Sequence, residues 1–120
     1  MRGDETGARR IFYRITAGPI PYREDFLSAR DLGVVKAPPD GLEREWAESI
    51  SVYDNLDYAV RRAETAARDI GRFVVPLSVP LDGTVELAQT GKNRRHYSIY
   101  GRPDDLIQLV DGASIPVKRG

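Results

Sequence analysis

The sequence has no cysteine, which excludes disulfides, thiolate catalysis and cysteine-based zinc sites. It has one histidine, His96, which cannot build a multi-histidine metal site by itself, so no metal centre is expected. Neither charge sign is in excess, because 18 Lys and Arg residues balance 18 Asp and Glu. No global field therefore draws the chain to nucleic acid or to a membrane, and only local patches remain for such partners. No apolar run approaches the ~20 residues needed to cross a bilayer. The opening MRGDETGARR mixes both charge signs and lacks an apolar stretch, so it is not a secretory signal. Residues 1–10 are expected to form a flexible tail, and a cytoplasmic location is the expectation that follows. A glycine-rich phosphate loop, a G-x-S-x-G elbow and a His-x-x-x-His pair are all missing.

What is present fits one domain. A chain of 120 residues, 41% hydrophobic and 30% charged, can bury a modest core of its own. IFYRIT at 11–16 alternates and is rich in strand formers. Pro21 suits a helix start, with Phe26, Leu27 and Leu32 as apolar members and Gly33 as its cap. VVKAPPDG at 34–41 reads as a loop, and LEREWAES at 42–49 as a short helix anchored by Trp46. SISVY is a strand ending at Asp54 or Asn55, either of which can cap the longest helix. In that helix Leu56, Ala59, Val60, Ala63, Ala67 and Ile70 form one apolar stripe, closed by Gly71.

The second half is richer in strands. RFVVPLSVP is a strand whose prolines place it near a sheet edge or mark its end. An Asp-Gly turn leads to another short strand, TGKNRR is a loop and HYSIY a strand. GRPDD opens one helical turn at Pro103, after which LIQLV and SIPV read as extended pieces. The expected fold is therefore α+β: a single compact domain over 11–120, with a curved, mainly antiparallel sheet and two or three helices.

Several residues in this frame carry chemistry. Alternation puts Arg14 on the same face of its strand as Phe12, where it is either exposed or held inward to bind an anion. Ser49, Ser51 and Tyr53 are alternate residues and share a face, which would line a pocket with two hydroxyls and a phenol. The basic loop from Lys92 to Tyr97, KNRRHY, is either a solvated hairpin tip or a phosphate contact with Tyr97 or Tyr100 stacking on a base. A serine–histidine–carboxylate triad would have to use His96, and no serine is marked as its partner.

FYRIT, SISVYDNLDYAVRRA and DDLIQLVDGASIPV together resemble the ADP-ribosyltransferase fold. Its Arg-Ser-Glu branch carries an arginine on the first core strand, a Ser-x-Ser strand running into a helix, and a glutamate near a late strand. The resemblance implies an NAD-dependent transferase, toxin-like, modifying a protein or nucleic acid. It assigns Arg14, Ser51 and Asp105 to catalysis, with Asp104 or Asp105 standing where the family has glutamate. NAD would be held by Arg14 on the pyrophosphate, Ser49 orienting it, Tyr53 stacking on nicotinamide, and His96 and Tyr97 completing the set. The alternative is a noncatalytic binding module or accessory subunit. It would act through the basic loop or an exposed sheet edge that pairs with a partner protein or a second copy.

Overall fold

The computed structural model describes residues 8–27, 48–67, 69–90 and 92–118. Its framework is six strands: β1 (Arg9–Thr16), β2 (Ser49–Tyr53), β3 (Phe73–Pro80), β4 (Glu86–Gln89), β5 (His96–Tyr100) and β6 (Ile115–Pro116). They form one open sheet in the order β4-β5-β2-β1-β3-β6, and every pairing is antiparallel. Two α-helices, α1 (Leu56–Thr65) and α2 (Pro103–Ile107), and a 3-10 turn at Arg23–Phe26 complete the described elements. The chain is thus an α+β domain.

Register sorts the side chains into two faces, because neighbours directly across a ladder point the same way. Tyr13 stands opposite Tyr53, and Phe12 stands opposite Leu77. One face gathers Phe12, Ile50, Val52, Val75, Leu77, Val79 and Ile99, covered by Phe26 of the 3-10 turn and Leu106 of α2. The other gathers Ile15, Tyr53 and Val74 under Ala59 and Ala63 of α1. Both alanines are fully buried, and their small side chains let the helix sit close to the strands. Phe12, Phe26, Leu77 and Ile99 are likewise sealed from solvent, each contributing on the order of 1.5–3 kcal/mol of burial.

α1 begins where the sequence signals it. Asn55 is the cap, its Oδ1 accepting from the Tyr58 amide at 2.9 Å. Asp54 has a different task, taking Arg10 at 3.0 Å and Arg95 at 3.4 Å. The prolines of β3 also sit as expected. Pro76 faces Tyr13, but its carbonyl accepts the Asp111 amide from outside the ladder, so its missing N–H costs the β1 pairing nothing.

Four expectations change. β1 starts at Arg9, with Arg9 opposite Pro80, so residues 9 and 10 belong to the sheet rather than to a tail; residues 1–7 lie outside the described residues. Within the described residues, the helix expected from Pro21 is a 3-10 turn that ends in extended Leu27, because the Asp25 carboxylate takes the Tyr22 and Ala17 amides and fixes a tight turn. Its supposed cap, Gly33, and the 34–41 loop lie outside the described residues, as does Trp46. α1 stops at Thr65 instead of Ile70, since Asp69 bonds the Gly71 amide and the Arg72 guanidinium and turns the chain into β3. Finally, Leu106 and Ile107 are helical, not extended. Pro103 at the first helical position, followed by Asp104 and Asp105, starts α2, and only Val110 bridges back to Leu77.

Gly71 marks the tightest approach. A Cβ there would lie 2.5 Å from Ile15 Cγ2 and 2.7 Å from the Thr16 carbonyl oxygen, at φ +149°. Gly83 has φ +92° but nothing within 4 Å of such an atom. Gly71→Ala is therefore expected to destabilise by about 2–4 kcal/mol in urea unfolding, whereas Gly83→Ala costs only about 1 kcal/mol, from added backbone strain. Equal losses at both sites would contradict the packing described.

Candidate functional site

The face bearing Tyr53 is only partly covered. α1 roofs the β1–β3 side, and beside it β2, β5 and the segment after β4 leave a polar cleft of about 280 Å³. Ser51, Tyr53, Tyr58, Arg62, Thr90, Lys92, Asn93 and His96 line it. The sheet supplies the first half of this set by register: Ser51 faces Ser98, and Tyr53 faces His96. Helix geometry supplies Tyr58 and Arg62, four residues apart and so on one side of α1. The loop after β4 closes over the top, because the Asn93 amide donates to the Tyr58 hydroxyl and the Asn93 carbonyl accepts from Gln89 and the His96 amide.

His96 is held at both ring nitrogens. Nε2 lies 2.8 Å from Ser51 Oγ, and Nδ1 lies 3.1 Å from both the Thr90 carbonyl oxygen and the Thr90 hydroxyl. A carbonyl can only accept, so the Thr90 oxygen favours the proton on Nδ1 and leaves Nε2 to accept from Ser51. Thr90 Oγ1 is fixed in turn by buried Ser98 at 2.7 Å. The rings of Tyr58 and His96 flank Tyr53 with centroids 5.5 Å and 5.6 Å away. Burial pushes the Tyr53 hydroxyl above its ordinary pKa, and the charge and hydrogen bond of Arg62 oppose that rise.

The residues named by the resemblance do not share this cleft. Ser51, Tyr53 and His96 line it; Ser49 sits one register step further along β2, opposite Tyr100, and is not part of the lining. Tyr97 alternates to the other face, where its ring meets Phe12 edge-on at 4.9 Å and Arg10 lies over it. Arg14 also leaves the sheet on the Phe12 face. Its Nε donates to the Asp25 carbonyl at 3.0 Å and one terminal nitrogen to the Ser51 carbonyl at 2.9 Å, so it touches the Ser51 backbone and not its hydroxyl. The residue is half-buried overall, yet its charged end is desolvated enough to lower its pKa, with Tyr53 and Asp25 opposing. Asp104 pairs with Arg23 at 2.8 Å on that same side, and Asp105 is an exposed first-turn residue of α2. The convergence of Arg14, Ser51 and Asp105 on one concave site is therefore not what the chain builds. The alternation of β1 against β2 forbids it.

No family profile, curated protein or solved structure matches the chain. Among the described residues no three acidic or histidine side chains gather to hold a metal, and no helix is long and apolar enough to cross a membrane.

Arg62 and Thr90 were not singled out by the sequence. The signal for Arg62 is its four-residue spacing from Tyr58, on the side of α1 away from the apolar stripe. Thr90 acts partly through its backbone, which carries no residue-specific signal. The serine partner of His96 was equally unmarked, since the contact runs diagonally between β2 and β5.

Tyr53 provides a direct check on the buried side of the cleft. A raised folded-state pKa stabilises the protein below the ordinary tyrosine value, and that contribution is lost as pH rises above it toward the folded value. In an alkaline titration followed by tyrosinate absorbance, the last phase is expected to disappear in Tyr53→Phe. Loss of an early phase instead would show that Tyr53 is not desolvated.

Proposed function

We propose that the protein binds a nucleotide carrying a phosphate or diphosphate, with NAD the first ligand to test. The observation that carries this reading is the make-up of the cleft. Two cations, Arg62 and Lys92, line it beside three aromatic rings, and none of the lining residues is acidic. Cations on a partly enclosed wall favour phosphate oxygens, and the half-buried Tyr58 and His96 rings, with Tyr53 buried between them, favour a heterocycle. At about 280 Å³ the cleft suits one nucleoside-sized unit, so the remainder of a dinucleotide would extend beyond it.

ADP-ribosyl transfer is the second reading, and the ligand it shares with the first is NAD. Its support is the resemblance together with the place of Ser51, Tyr53 and His96 at the cleft. In this reading Arg62, rather than Arg14, takes the diphosphate. The basic loop favours the same site over a free nucleic-acid patch, because Arg95 is already engaged by Asp54 while Lys92 turns into the cleft.

Calorimetry with NAD, ADP and inorganic phosphate tests the proposal. Arg62→Ala and Lys92→Ala are each expected to weaken NAD about 10-fold or more, the value of one charge-assisted hydrogen bond. Arg14→Lys, which keeps a donor for the buried carbonyls, is expected to leave affinity within about threefold. Released nicotinamide, followed by chromatography in the same samples, separates transfer from binding. No heat with any of the three ligands overturns the proposal, and loss of binding in folded Arg14→Lys alone returns the anion site to Arg14.

A further inference from the structure

We propose that Ser51 is a nucleophile activated by His96, able to take an acyl group from an ester and pass it to water. This goes beyond nucleotide binding and does not depend on it. A serine hydroxyl is a weak nucleophile until a base is placed to take its proton. Here Nε2 of His96 stands 2.8 Å from Ser51 Oγ, within the distance required of a general base. The base is itself oriented. Nδ1 donates to the Thr90 carbonyl at 3.1 Å, which fixes the ring and supports the positive charge that forms when Nε2 takes a proton. The Thr90 carbonyl thus stands where a carboxylate stands in a triad, which explains how a chain without an acidic partner at this histidine assembles the same order of groups. The backbone of Ser51 is fixed from the far side, since Arg14 donates to its carbonyl.

Three further observations separate Ser51 from an ordinary strand serine. Its side chain opens onto the cleft, so an electrophile can reach it. Ser98, directly opposite on β5, is sealed at 3% exposure and occupied by Thr90, so it cannot compete for the same reagent. Arg62 and Lys92 line the same cleft and provide positive charge for an oxyanion developing there. That charge also selects the substrate class: a small ester bearing an anionic group.

The step balances without any further reactant except water. The Ser51 Oγ–H proton moves to Nε2 as the bond from Oγ to the acyl carbon forms. The tetrahedral centre then collapses, the ester C–O bond breaks, and the departing alcohol oxygen takes the proton from Nε2. Water attacks the acyl-serine with the same nitrogen as base, releasing the acid and restoring the hydroxyl.

A fluorophosphonate probe tests this on the intact protein with no nucleotide present. Attack by Oγ forms an O–P bond, breaks the P–F bond and releases fluoride, leaving a stable adduct. Peptide mapping by mass spectrometry is expected to find one modified residue, Ser51, and guanidinium-unfolded protein is expected to stay unmodified. His96→Gln should slow labelling by about 100-fold or more, and Ser51→Ala should abolish both labelling and para-nitrophenyl acetate hydrolysis. Should His96→Gln fail to fold, His96→Asn serves in its place and must slow labelling to the same extent. Folded wild type that stays unlabelled overturns the proposal. So does labelling at another serine, or a rate indifferent to His96.

Discussion

A single buried guanidinium holds the middle of this fold together. β1 and β3 pair along their whole lengths, from Arg9–Pro80 to Thr16–Phe73, whereas β1 meets β2 at the Tyr13–Tyr53 pair. Beside that pair Arg14 supplies the donors: one to the Ser51 carbonyl of β2 and one to the Asp25 carbonyl of the 3-10 turn. The two halves of the sheet, and the turn that covers one of its faces, are joined through this side chain. Burying the charge has a cost, visible in its lowered pKa, and that cost is offset by the hydrogen bonds to the two carbonyls.

The same seam decides where chemistry can occur. Because Tyr13 and Tyr53 are partners, every even-numbered residue of β1 points away from Ser51 and Tyr53. Arg14 and the acidic start of α2 therefore share one side with Phe12 and Phe26, and the cleft forms on the other. Its walls come from three separate places in the chain: α1, β2 with β5, and the loop after β4. The cations that matter to a ligand are the ones on those walls.

Much of the fold could be read from alternation and capping. The strands at SISVY and HYSIY, the cap at Asn55 and the alanine stripe at Ala59 and Ala63 are local signals, and local physics settles them. The misreadings share a cause. LIQLV has a strand's composition, but the proline and two acidic residues ahead of it start a helix. The stretch after Pro21 has a helix's spacing, but the Asp25 side chain captures two backbone amides and tightens it. The candidate site was legible in part: the shared face of Ser51 and Tyr53 follows from a period of two. Whether Arg14 lay on that face depended on the inter-strand register, which no single segment encodes. The pairing of Ser51 with His96 was hidden for the same reason, being a contact across 45 residues of sequence.

The central claim is that the Ser51–His96 side of the sheet is the working face and Arg14 is its structural clamp. Backbone amide NMR during a titration with NAD tests this most directly. The expected result is shifts concentrated at Ser51, Tyr53, Arg62, Lys92 and His96, with Asp25, Asp104 and Asp105 unmoved. Shifts centred on Arg14, Asp25 and the start of α2, with the Ser51–His96 cleft silent, would contradict it.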